Sequence, residues 1–206
     1  MQKTTGIHSL LSVPLIYNIV QRAFLHQKTH DLIKKHLDIG AKAVVLDIGC
    51  GVGNAIKLLN PDYEYYGYDI SAEYISQAAD KFEDRPGTTF INDKFNEETS
   101  KSLPEVDLAL LMGVMHHISD QELTDLLTCI SKQLKTGGFL MTVDPVRFKG
   151  QNFLASALVS VDRGKAVRSS DGYLGLLSEQ FRVIHSHTIG QRFPPYDRFI
   201  SFSTSR

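Results

Sequence analysis

The stretch Asp47-Ile-Gly49-Cys-Gly51-Val-Gly53 places three glycines at alternate positions behind an ionisable group. Glycine tolerates left-handed turns, and with no side chain it lets a ligand lie against the peptide backbone. A second acid, Asp69, follows twenty residues after Gly49, and a third, Asp93, closes the next run of β-type residues. Further along stand the adjacent pair His116-His117 and then Asp144. A carboxylate can accept both hydroxyl protons of a ribose, and an imidazole has the right unperturbed pKa to take a proton from an attacking nucleophile. These residues could hold a nucleoside-like ligand and move a proton beside it.

The elements that must position them follow from hydropathy. From Ala43 the runs AVVLD, YEYYGYD, TTFIND, VDLALLM and FLMTVD alternate with helical patterns, the signature of βαβ units and a parallel sheet. Val44–Leu46 and Leu108–Met112 are apolar without alternation, as strands covered on both faces should be. Helices are predicted over Asn54–Leu59, over Ser71–Phe82 with Ser71 as N-cap, and over Ser119–Leu134. The last opens on the capping box Ser119-Asp-Gln-Glu122 and stops at Gly137-Gly138. After the fifth strand, QNFLASALVSV and SDGYLGLLSEQF read as two helical pieces of a substrate cap. RVIHSHTI and YDRFISFST then close the chain as an antiparallel hairpin at the sheet edge, with a turn around Pro194-Pro195. His185 and His187 share one face of that strand, which is expected to be solvated.

Upstream, an amphipathic helix from Pro14 would bury Ile16, Ile19, Val20 and Ala23, and a second would cover Thr29–Leu37. The expectation is one domain over residues 1–206, with lid helices in 1–40 and a helical cap in 145–180. At 206 residues with 42% hydrophobic content, the chain can fill one core. A net charge of −1 gives no basic field to gather nucleic acid or anionic membrane. Neither a signal peptide nor a membrane span is read at the N-terminus. Two cysteines, Cys50 and Cys129, make no disulfide framework, and no metal-ligand spacing is present, so a reducing cytoplasm and no metal are expected.

The loop itself discriminates among cofactors. A dinucleotide fingerprint needs a glycine where Asn54 stands, and Asp47 would face the pyrophosphate with like charge. No Gly-Lys-Ser/Thr follows, which excludes a P-loop. A ligand with positive charge and no phosphate suits the loop better, such as the ammonium and sulfonium of S-adenosylmethionine. Leu46-Asp-Ile-Gly-Cys-Gly-Val-Gly-Asn54 resembles motif I of the class I S-adenosylmethionine-dependent methyltransferases. The strand order resembles their fold, an α/β, Rossmann-like, doubly wound seven-stranded sheet that is mostly parallel with an antiparallel last strand. The resemblance runs from about Ala43 to the C-terminus.

It implies S-adenosylmethionine as cofactor and S-adenosylhomocysteine as product. The implied contacts are Asp47, Gly49, Cys50, Gly51 and Asn54 at the loop, and Asp69 and Ile70 at the ribose. Asn92, Asp93 and Lys94 would lie near the adenine, and Met112, Gly113 and Met115 beside the sulfur. The stretch Leu111-Met-Gly-Val-Met-His-His-Ile-Ser119 resembles the family's motif IV in its small-molecule form. That makes His116 or His117 a candidate base, with Asp144 orienting the acceptor. Adjacent histidines are not expected to point the same way, so only one should act.

Pro194-Pro195-Tyr196 is similar to a signature of adenine methylation but falls in the final hairpin, which removes its support for nucleic acid. For the acceptor, Arg163, Arg168 and Tyr173 in the cap and Tyr17 and Gln21 in the lid are candidate contacts. The expected function is methyl transfer to a small, oxygen-bearing acceptor. A protein, lipid or RNA methyltransferase and a non-catalytic cofactor-binding partner subunit are the alternatives.

Overall fold

The computed structural model describes residues 31–32, 35–36, 39–40, 42–161, 166–192 and 195–206. Among them lie β1 (Val44–Ile48), β2 (Glu64–Tyr68), β3 (Thr88–Ile91), β4 (Val106–Met112), β5 (Leu134–Pro145), β6 (Phe181–Arg192) and β7 (Pro195–Ser205). Downstream of β1 the α-helices are α1 (Ala72–Lys81), α2 (Asp120–Gln133), α3 (Phe153–Val161) and α4 (Ser170–Gln180). The strands form one sheet in the order β3-β2-β1-β4-β5-β7-β6. β1 to β5 pair in parallel, and β7 runs antiparallel to both β5 and β6. The chain builds outward from β1 to β3, then returns to start β4 on the other side of β1. That reversal opens a crevice at the carboxyl ends of β1 and β4, where α/β sheets bind ligands.

Both sheet faces are covered. One core gathers Leu46, Leu111, Leu123, Leu127, Ile130, Tyr173 and Phe199; the other gathers Val45, Tyr65, Leu108, Met141, Ile200 and Phe202. The alternating strand pattern assigns Asp47 to the second face with Val45, and Asp144 to the first with Leu140. α2 contributes Leu123, Leu127 and Ile130, spaced four and three apart and all fully buried. Each such burial is worth about 1.5–3 kcal/mol. The predicted capping box closes the helix start. Ser119 Oγ accepts from Glu122 N–H at 3.3 Å, and Glu122 Oε2 accepts from Ser119 N–H at 2.9 Å. Ser71 caps α1 by accepting from Tyr74 N–H at 3.3 Å.

Several boundaries differ from the sequence expectation. The turn at Asn54–Leu58 is a 3-10 helix. α2 ends at Gln133, and Gly137-Gly138 lie inside β5, where the register jumps from Val106–Leu134 to Leu108–Phe139 and Gly137 takes φ 79°. The glycines relax a bulged strand rather than stop a helix. The terminal hairpin is longer than expected, because Gly190 stays in β6; a Cβ there would meet Asp197 Oδ1 at 2.9 Å.

His185 is exposed and His187 half-buried, so the face is only partly solvated. The His36 ring lies 4.1 Å from that of His185 and 5.6 Å from that of His187. The helix expected from Pro14, with Ile16, Ile19, Val20 and Ala23, lies outside the described residues. From the second, Asp31, Leu32, Lys35 and His36 are helical. Among the described residues no helix is long and apolar enough to cross a membrane.

Candidate active site

β1 runs into a loop whose three glycines are all left-handed, Gly49 at φ 72°, Gly51 at 54° and Gly53 at 72°. Space fixes two of them as well. A Cβ on Gly49 would lie 2.5 Å from Val114 Cγ2, and one on Gly53 2.8 Å from Phe82 Cε2. The loop hangs on the end of β2: Gly49 and Cys50 N–H both donate to the Tyr68 carbonyl, at 2.8 and 3.0 Å. Lys81 Nζ donates to Val52 O at 3.0 Å and to Asn54 Oδ1 at 2.9 Å, so Asn54 serves the far anchor of the loop.

The next residue after β2 is Asp69, half-buried and held from both sides. Gly51 N–H donates to its Oδ2 and Ser71 N–H to its Oδ1, each at 2.9 Å. Asn92 Nδ2 donates to the Asp69 carbonyl at 3.0 Å, tying the end of β3 to the end of β2. These bonds aim the carboxylate and leave each oxygen a further lone pair for a ligand. Ile70 beside it is 80% exposed and offers apolar surface. Asn92, Asp93 and Lys94 are exposed together at the end of β3, with Asp93 Oδ1 accepting from Lys94 N–H at 2.7 Å.

Asp47 lies beneath the loop, 1% exposed. The Tyr65 hydroxyl donates to its Oδ2 at 2.6 Å, and its Oδ1 has no hydrogen-bond partner. Burial pushes its pKa up to about 7; the Tyr65 hydrogen bond opposes that, and the charge of Asp69 adds to it. Tyr65 reaches Asp47 across Gly67, where a Cβ would come within 2.9 Å of both Tyr65 Cε1 and Cys50 Sγ. Burial likewise raises the Cys50 thiol, which stays protonated. An ionisable acid with an orphan oxygen, a loop with glycine at every second position and an aimed carboxylate fit S-adenosylmethionine, whose amino acid end is cationic. They do not fit a pyrophosphate, which the buried acid would repel.

On the other side of the crevice, Gly113 at φ 78° follows β4 and donates its N–H to Val143 O at 2.7 Å. Met112 is half-buried there. A 3-10 turn, Met115–His117, leads into α2. His116 is 3% exposed, and its Nδ1 lies 2.7 Å from Asp144 Oδ1, an oxygen that also accepts from His116 N–H at 3.0 Å. Asp144 is fully buried at the end of β5, and its Oδ2 has no hydrogen-bond partner. Burial pushes its carboxyl up, while His116 and then Arg168 pull it down. A base whose Nδ1 is held by a buried acid is oriented to exchange its proton at Nε2.

His117 is exposed, yet its ring lies 3.9 Å from that of His116 at a tilt of 40°. Met115, expected near the sulfur, is fully buried in the core. Of the acceptor candidates, Tyr173 is fully buried, with its hydroxyl donating to Pro145 O at 3.0 Å and its ring stacked on Phe199. Arg168 commits its guanidinium to Met115 O, Ala166 O, Ile118 O and Asp120. Tyr17, Gln21 and Arg163 lie outside the described residues.

Tyr65, Gly67 and Val114 were not singled out from the sequence. Tyr65 and Gly67 alternate on β2 alongside Asp47, a pattern visible once the register Asp47–Gly67 is known. Among the described residues no group of His, Cys, Asp or Glu is placed to hold a metal ion.

The sheet order, the glycine loop and the aimed acid at the end of β2 define a Rossmann-like methyltransferase fold. Residues 46–140 match a family described as a methyltransferase domain. The match spans just under half of the chain and, together with the sheet order, supports a class I S-adenosylmethionine-dependent methyltransferase. No curated protein matches the sequence.

Among solved structures, the N-methyltransferase NodS from Bradyrhizobium japonicum WM9 is similar at a TM-score of 0.69 and 15% identity, over 89% of this chain and 97% of that one. NodS has also been solved with S-adenosyl-L-homocysteine. The mitomycin 7-O-methyltransferase MmcR is similar at 0.68 and 18% identity, over 97% of this chain and 61% of its own. The [4+2]-cyclase SpnF is similar at 0.66 and 17% identity, over 86% and 80%. Such likenesses are of fold, and one fold here carries two kinds of chemistry.

Proposed function

We propose that this chain transfers a methyl group from S-adenosylmethionine to a small-molecule acceptor through a hydroxyl oxygen, with His116 as the base. The observation that carries this reading is the buried His116–Asp144 pair, 2.7 Å apart, at the strand ends across the crevice from the glycine loop. The cofactor, held at the ends of β1 to β3, supplies an electrophilic methyl group. Asp69 receives the ribose hydroxyls, Ile70 flanks the base, and Asn92, Asp93 and Lys94 line its edge. Asp47 answers the ammonium group from beneath the loop, while Gly49 and Gly51 let the ligand lie close to the backbone. Met112 and Gly113 border the reacting centre.

A hydroxyl is a poor nucleophile until its proton leaves, so a positioned imidazole adds to what alignment alone achieves. Asp144 orients His116 and stabilises the imidazolium it becomes. The small-molecule class is supported by the shared fold of the mitomycin O-methyltransferase and by a net charge of −1, which attracts no polyanion. Free Cys50 and Cys129 suit a reducing cytoplasm.

Calorimetry tests the base of this reading. The protein should bind S-adenosylhomocysteine, and Asp69→Ala should weaken that binding tenfold or more, a loss of roughly 1.5–3 kcal/mol for a charged acceptor. Binding of NAD with indifference to S-adenosylhomocysteine would sink it.

A further inference from the structure

We infer that Arg168 is a positioning residue for His116, which it serves by locking the turn that carries the imidazole. This rests on the reading of His116 as the base. A guanidinium has five N–H donors, and in Arg168 every one has an acceptor. Nε and one Nη2 hydrogen meet Asp120 Oδ1 at 2.8 and 2.6 Å; the other Nη2 hydrogen meets Ile118 O at 3.0 Å. Nη1 meets Met115 O at 2.7 Å and Ala166 O at 3.1 Å. No donor remains for an acceptor molecule.

The bonds converge on one short segment. Met115 and Ile118 flank the two histidines, and their carbonyls are the ones a 3-10 turn leaves unpaired as it passes into α2. His116 is gripped in between, its N–H on Asp144 and its carbonyl accepting from Ala166 N–H at 3.0 Å. Arg168 is thereby joined to His116 twice, through the turn it brackets and through Ala166, whose carbonyl it also holds. The segment is fixed at its own base, since Arg168 O accepts from Arg147 N–H at 3.1 Å and the Tyr173 ring lies under the guanidinium at 5.7 Å. A planar fork spans three carbonyls and a carboxylate at once; a lysine ammonium has three donors on one atom.

Histidine-labelled protein with S-adenosylhomocysteine bound, observed by 1H–15N magnetic resonance, tests the inference without an acceptor. In the wild type, His116 should show a low-field Nδ1 proton. In Arg168→Lys, which keeps the charge and loses the fork, that resonance should be lost, while affinity for S-adenosylhomocysteine stays within about twofold, as for a distant site. Asp120→Ala removes one exposed anchor and should broaden the same resonance. An unchanged resonance in both variants would overturn the inference, as would a parallel collapse of cofactor affinity in Arg168→Lys. A wild type that lacks the Nδ1 proton, or ignores S-adenosylhomocysteine, would instead sink the functional reading.

Discussion

At the ends of β1, β2 and β3 the polar groups are turned outward, whereas at the ends of β4 and β5 they are turned in on one another. Asp69 is half-buried with both oxygens aimed, and Ile70, Asn92, Asp93 and Lys94 stand exposed around it. Across the crevice, His116, Asp144 and Tyr173 are buried, and Arg168 has no donor left over. The first half leaves polar groups open at the surface, and the second holds one imidazole still. Each half also buries an acid with an orphan oxygen, on opposite faces of the sheet. Asp47 answers only to a neutral phenol, while Asp144 answers to an imidazole that can carry charge.

The sharpest way to break this comparison is at His116. With a hydroxyl acceptor, His116→Ala should lower kcat by about 10²–10⁴-fold, the usual contribution of a positioned base. Affinity for S-adenosylhomocysteine should be unchanged and His117→Ala close to wild type. Equal losses in the two variants, read from the rate of S-adenosylhomocysteine release, would erase the distinction between the buried and the exposed ring.

Asp47 gives the next effect. Its folded pKa of about 7 exceeds the ordinary 3.8, so the folded state binds the proton more tightly than the unfolded state does. Stability is therefore full below pH 4, falls as the pH rises toward 7, and stays reduced above. At 1.4 kcal/mol per unit the loss reaches about 4 kcal/mol. Asp47→Asn keeps an acceptor for Tyr65 and cannot ionise, so it should be more stable than wild type at pH 8 and equal to it at pH 4. Urea denaturation at both pH values decides this; a variant less stable at pH 8 would show that the ionised acid has a partner in the ligand-free protein.

The smallest effect is expected at the hinge between turn and helix. Ser119→Ala removes the cap of α2 directly after the histidines and should cost about 1 kcal/mol in a thermal melt. It should leave cofactor affinity in the outward-facing half untouched.

That outward-facing half was legible in the sequence because its chemistry sits on local features. Gly49, Gly51 and Gly53 announce a backbone shape, and Asp69 falls where the next strand must end. The inward-facing half was legible only in its parts. His116 and Asp144 were both singled out, but their contact joins residues 28 apart through the pairing of β4 with β5, which no local pattern specifies. Arg168 looked like a surface charge offered to an acceptor, since hydropathy reports that a residue is polar and not where its donors go. The motif IV resemblance of Leu111–Ser119 puts Met115 beside the sulfur. Its side chain follows the 3-10 turn into the core instead. His185 is exposed, as a solvated face requires, while the half-burial of His187 was not legible because its neighbour His36 arrives from the far end of the chain.

Gly67 carries a consequence for how this sequence can drift. A methyl group at that position would collide with the Tyr65 ring and Cys50 together, and displacing Tyr65 would leave Asp47 Oδ2 without its hydroxyl donor. Positions 47, 50, 65 and 67 thus form one packed unit spread over β1, the loop after it and β2. Relatives should be found to vary at these four places in concert or not at all, with a side chain at 67 accompanied by the loss of the phenol or the acid.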